Sequence, residues 1–144
     1  MTGPTRLQTQ FPITDYQQTI KSVDCTGGTP ITAFTVTGDV VMKVVGICKA
    51  SLTGSGAITV EVGVSGNTAV LIAQIADATD LVITEIYHDA TPDATIEASS
   101  VFTEWINSTG QDVIVTTTGT VTGGTIALYC FWYPLSADGN VIAA

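Results

Sequence analysis

Along most of this chain apolar and polar residues alternate with period two, the period of a β-strand whose successive side chains point to opposite faces. The cleanest case is Ala57–Val64, with Ile58, Val60, Val62 and Val64 on one side and Thr59, Glu61 and Gly63 on the other. Before it, Val40–Leu52 sets Val40, Met42, Val44, Gly46, Cys48, Ala50 and Leu52 against Val41, Lys43, Val45, Ile47, Lys49 and Ser51, a face apolar in its middle and charged on either side. The breaker Thr53-Gly54-Ser55-Gly56 separates the two runs, so Val40–Val64 reads as a hairpin. Further strands are predicted at Thr19–Val23, Ile31–Thr37, Ala69–Ala76 and Leu81–Tyr87, and at Thr95–Asn107 with a break near Ser99-Ser100. Gln111–Thr118 follows, and Val121–Gly124 links it, again as a hairpin, to Thr125–Pro134. The end, Ser136–Ala144, is small and polar up to Val141-Ile142.

These runs make eight or nine strands with turn signals about every 8–12 residues and no convincing helix. Alternating strand and long helix patterns are missing, which excludes α/β folds. The expected class is all-β: two packed antiparallel sheets, a β-sandwich of the jelly-roll kind. Residues 1–18, with Pro4, Pro12 and no sustained period, read as an extended arm, and 19–144 as one domain. The arm's apolar residues Leu7, Phe11, Ile13 and Tyr16 would be wasted on a fully solvated tail. They either clamp the domain's own sheet or reach a neighbour.

The whole pattern is organised around Thr125–Pro134, TIALYCFWYP. Ile126, Leu128, Cys130 and Trp132 face one way; Thr125, Ala127, Tyr129, Phe131 and Tyr133 face the other. No charge lies on either side, and the stretch holds four of the chain's ten aromatic residues. A strand with one wet face would carry charge there, so both faces need cover, one from the core and one from a second layer or another chain. That favours an assembly protein over a solitary enzyme.

Composition strengthens the β reading. The chain has 144 residues, enough for one ordinary domain, and its 25 threonines supply polarity on a surface with only 12% charged residues. Thirteen acidic residues against four basic ones give a net charge of −9. Arg6, Lys21, Lys43 and Lys49 are scattered, which argues against nucleic-acid binding. Cys25, Cys48 and Cys130 are odd in number, lack metal-like spacing and are expected to be reduced. Met1–Gln10 is too polar for a signal-peptide core, and no apolar run approaches a membrane span, so a soluble protein of the cytoplasm is expected.

Candidate chemistry is sparse. His88, the only histidine, lies beside Asp89 and Asp93 in YHDATPD, but nothing marks a nucleophile to complete a triad. A transition-metal site would require more His or Cys than the sequence offers. Asp77, Asp80, Asp89, Asp93 and Glu97 fall in two loops whose oxygens would suit Ca²⁺, although no EF-hand spacing is present and turn aspartates usually serve the backbone. Two of these carboxylates could also pair for glycoside hydrolysis, but no cleft is evident. GTVTGG and TGSGA are turns, not phosphate loops. No cofactor, no catalytic residue and no enzyme activity are expected.

Over roughly Gly38–Val141, the segments GICKASLTGSGAITVEVGVSGNTAVLIAQIADATDL, EIYHDATPDATIE and GGTIALYCFWYPLSADGNV carry a likeness. The chain resembles small β-rich virion proteins of tailed bacteriophages, of the capsid decoration (cement) or head-fibre kind. The resemblance implies a non-enzymatic subunit, commonly a homotrimer on the capsid's outer surface, that bridges copies of the major capsid protein. On that reading Tyr129, Phe131 and Tyr133 form the self-association interface, and Leu7, Phe11, Ile13 and Tyr16 anchor the arm to the capsid. The alternative is a glycan- or receptor-binding module of a fibre, with Trp105 or Trp132 as an exposed sugar platform.

Overall fold

The structure is a computed structural model, and it describes residues 16–144. Eight antiparallel strands join a single sheet. They are β1 (Gln17–Asp24), β2 (Ile31–Thr37), β3 (Val40–Val64), β4 (Asn67–Ile75), β5 (Ile86–Tyr87), β6 (Trp105–Asn107), β7 (Val113–Pro134) and β8 (Asn140–Ala143). The all-β, antiparallel expectation is met. The described residues contain no α-helix, only short 3₁₀ turns at Ala78–Asp80 and Ser99–Val101.

The two predicted hairpins are replaced by something longer. β3 and β7 each run unbroken through their glycine-rich middles and pair with one another from Val40↔Pro134 to Gly63↔Ile114. The Thr53–Gly56 breaker does not reverse the chain, because a second breaker, Gly119–Gly124, lies opposite it. Gly54 faces Val121, and Ser55 faces Thr120. Two facing breakers become a paired bulge, since turns and bulges make the same demand for unusual backbone angles. Gly119 has φ +75, and a Cβ there would sit 2.6 Å from the Ala57 carbonyl oxygen.

The bulge shifts register. Between Cys48↔Ile126 and Thr59↔Thr118, β3 advances eleven positions and β7 only eight. The buried set on β7 therefore changes parity, from Val113, Val115 and Thr117 below the bulge to Ile126, Leu128, Cys130 and Trp132 above it. Both halves feed one hydrophobic cluster that also takes in Ile58, Val60 and Val62. Tyr87, paired with Gly46 in the upper half, is fully buried and donates its hydroxyl to the carbonyls of Val60 and Ala73 in the lower half, both at 3.0 Å. The sheet thus bends over its own core.

Flanking strands widen each half. β1 pairs with β7 from Gln17↔Trp132 to Asp24↔Thr125, and β5 and β6 line the upper part of β3. In the lower half β4 lies on β3, and β2 lies between β7 and β8. The predicted strand at Leu81–Tyr87 shrinks to Ile86–Tyr87. Its first part follows β3 irregularly, with Leu52 N–H donating to Leu81 and Cys48 N–H to Glu85, while Thr84 takes a positive φ of 79. All three cysteines are free and buried.

Candidate functional site

The alternation at Thr125–Pro134 separates two surfaces as read. Ile126, Leu128, Cys130 and Trp132 are buried in the core, whereas Tyr129, Phe131 and Tyr133 stand half-buried on the outer face. Directly opposed residues share a face, so Val41, Lys43 and Val45 of β3 flank Tyr133, Phe131 and Tyr129 from one side. Gln18 and Ile20 of β1 flank Phe131 and Tyr129 from the other. The result is an aromatic face three strands wide, edged by Ile20 (50% exposed) and Ile106 (73% exposed).

Tyr16 is the first described residue and sits on this face. Its ring lies 5.4 Å from that of Tyr133, tilted by 60°, and the Lys43 ammonium lies 4.9 Å from its centroid. Its hydroxyl donates to the Glu104 carboxylate. Partial burial, and then that carboxylate, push the Tyr16 phenol above its ordinary range. Tyr16, Lys43, Ser99, Phe102 and Phe131 enclose a shallow hollow of about 280 Å³. Of the residues predicted to serve the arm, Tyr16 therefore joins the predicted interface residues; Leu7, Phe11 and Ile13 lie outside the described residues.

The two tryptophans differ. Trp132 is buried, and its indole N–H donates to the Thr19 hydroxyl at 3.0 Å, so it offers no exposed platform. Trp105 is half-buried in a cleft of about 410 Å³ lined also by Met42, Asn67, Asn107 and Gln111. Its indole N–H is buried without a hydrogen-bond partner among the described residues.

The acidic loops do not converge as a calcium site would require. Asp77 caps the first 3₁₀ turn, accepting from the Thr79 amide and hydroxyl, and those bonds hold its carboxyl below the usual range. Asp89 accepts from the Thr91 amide at 2.8 Å. Among the described residues, Asp77, Asp80 and Asp89 join no potential ligand cluster. A different group forms instead: His88, Asp93 and Glu97, with one ligand atom of each within 4.8 Å of the others. The Ile86↔Asp93 bridge closes the turn around Pro92 and brings the His88 ring to Asp93. The sequence placed His88 near Asp93 but carried no signal that Glu97 would return to the same point.

Comparison with known proteins finds no matching family model, no matching curated protein and no matching solved structure.

Proposed function

We propose that the chain is a non-enzymatic virion subunit that self-associates through its outer aromatic face and decorates a phage capsid. The observation that carries this reading is the half-buried row Tyr129, Phe131 and Tyr133, with Val41, Val45 and Ile20 beside the tyrosines and Lys43 and Gln18 beside Phe131, lacking a full covering layer among the described residues. Aromatic residues with one buried and one accessible side are the usual anchors of protein interfaces. The occupant that fits is a second and third copy of the same chain, in a closed cyclic trimer. In this reading the bent sheet takes the part of a jelly-roll sandwich, and residues 1–15, leading into Tyr16 at the edge of the face, reach the major capsid protein on the outer shell.

The test is the solution mass of the full chain by light scattering. A mass of three subunits, falling to one in Phe131→Ser with folding intact, supports the reading. A monomer at all concentrations overturns it. Removing residues 1–15 leaves β1 whole and should abolish capsid binding while preserving the fold; unchanged binding would rule out the arm's role.

A second reading, a glycan-binding module, is favoured by one feature, the Trp105 cleft. A half-buried indole ring beside the side-chain amides of Asn67 and Gln111 is suited to a sugar's apolar ring face and hydroxyls. Trp105→Ala would then abolish binding on a glycan array, and an array without hits for the intact chain would remove this reading.

A further inference from the structure

We propose that His88, Asp93 and Glu97 form a binding site for a first-row divalent metal ion of the zinc class. The geometry begins with His88, whose side chain is only 8% exposed and points Nε2 at two carboxylates. Nε2 lies 2.6 Å from Asp93 Oδ2 and 3.8 Å from Glu97 Oε2. At 2.6 Å the first pair should be a strong hydrogen bond. Yet both Nε2 and Oδ2 are buried without a partner in hydrogen-bonding geometry among the described residues. Two buried polar atoms left in this state are costly, and such groups call for an explanation. A cation bound beside the pair provides one, because both atoms then direct lone pairs at it and need no shared proton on the line joining them.

The three ligand atoms already lie within 4.8 Å of one another. Ligands about 2.1 Å from a tetrahedral ion stand roughly 3.4 Å apart, so Glu97 is nearly in place and the Asp93 oxygen must draw back from Nε2 by about 0.8 Å to admit the ion. The donor set discriminates among metals. One imidazole nitrogen with two carboxylate oxygens suits zinc, manganese, iron or cobalt, whereas Ca²⁺ takes six to eight oxygens, more than this site holds. Charge also balances, since a divalent ion neutralises two carboxylates that repel each other inside an already acidic chain. Three protein ligands leave one tetrahedral position for water.

The site has a structural consequence. All three ligands come from one ten-residue segment, His88–Glu97, in a largely irregular region between β5 and β6. The His88 ring packs against Phe102, with centroids 5.5 Å apart, and Phe102 lines the hollow beside Tyr16 and Phe131. A bound ion would staple this segment and fix one wall of the aromatic face. The inference does not depend on what that face binds.

Calorimetric titration of the chelator-treated, folded full chain with Zn²⁺, with Ca²⁺ in parallel, tests it. One equivalent of Zn²⁺ should bind, and a hundredfold excess over Kd should raise Tm by about 5 °C or more. His88→Gln and Glu97→Gln should each weaken binding at least tenfold. Absence of binding overturns the proposal, as does Ca²⁺ binding without Zn²⁺, or Zn²⁺ binding unchanged in both variants, which would place the metal elsewhere. Should His88→Gln fail to fold, the partly exposed Glu97 carries the mutational test. The visible spectrum of Co²⁺ added to the unmutated chain then supplies a second readout, and a spectrum identical to that of aqueous Co²⁺ refutes the site.

Discussion

Leu128 and Phe131 stand three residues apart on the same strand, yet they belong to different environments. Leu128 is fully buried among Gly46, Tyr87 and the rest of the core, whereas Phe131 is half-buried beside Lys43 on the outside. Both are large and apolar, so hydrophobicity alone does not separate them; parity along the strand does. The inner face is a packing problem already solved within the chain. The outer face has the composition of a core but only part of a cover. Its partial cover is of a particular kind: Tyr16 and Phe102 from irregular segments, with the stem of Lys43 rising from β3 beside them and no second layer of sheet. What distinguishes an interface from a core here is the incompleteness of its lid, not the chemistry of its floor.

The largest separation between the two faces should come from truncation. Leu128→Ala leaves a cavity in a close-packed core and should cost about 2–5 kcal/mol, read as a lower midpoint in denaturant unfolding. Phe131→Ala removes a ring that is only partly covered and should cost less than about 1.5 kcal/mol, while reducing any self-association. Equal losses at the two positions would erase the contrast.

Alkaline pH tests the inner face in a second way. Burial pushes the thiols of Cys25 and Cys130 each up to about 12, with Asp24 adding to the effect at Cys25. Burial raises the Cys48 thiol and the Tyr87 phenol in the same direction. In the unfolded chain a thiol loses its proton near about 8.5. A raised value in the folded state means that the associated stability is intact below that pH and drains away as pH climbs towards 12. Tm should therefore fall steadily above about pH 8.5, and Cys130→Ala should flatten the decline. An unchanged slope in that variant would mean the thiol is not sealed in the core.

The smallest effect belongs to the exposed bulge region. Thr59 and Thr118 meet hydroxyl to hydroxyl at 2.6 Å where the ladder resumes. A solvated pair of this kind contributes little, and Thr59→Ala should shift stability by no more than about 0.5 kcal/mol. A loss of several kcal/mol would show that the bulge, not the upper core, holds the two halves together.

The sequence made some of this legible and concealed the rest for physical reasons. β2 matches its predicted limits, Ile31 to Thr37, because breakers flank it on both sides. The inner and outer sets of Thr125–Pro134 were readable because parity is a local property. Strand continuity was not. Gly54 and Gly119 look like turn residues one at a time, and only their placement opposite one another turns them into a bulge within a single long ribbon. β8 escaped notice because Asp138-Gly139-Asn140 reads as loop, and its four residues gain their strand character from pairing with β2. Of the candidate groups, Tyr129, Phe131 and Tyr133 share a face as parity requires. The union of His88 with Glu97 depends on how an irregular segment folds back, which no period encodes.

The long pairing of β3 with β7 also governs the order of events during synthesis. β1, β2 and β3 all take β7 as a sheet neighbour, and β7 begins only at Val113. While the chain emerges, the first three strands have formed their hydrophobic faces but lack the partner that joins them. Contacts as distant in sequence as Val40 and Pro134 must then close together, which makes for slow, cooperative folding. Until β7 arrives, β1, β2 and β3 are edge strands, open to pairing with the wrong chain. A ribosome stalled before Val113 would accordingly release an aggregation-prone fragment rather than a smaller folded domain, and pulse-chase proteolysis should show protection appearing in a single late step.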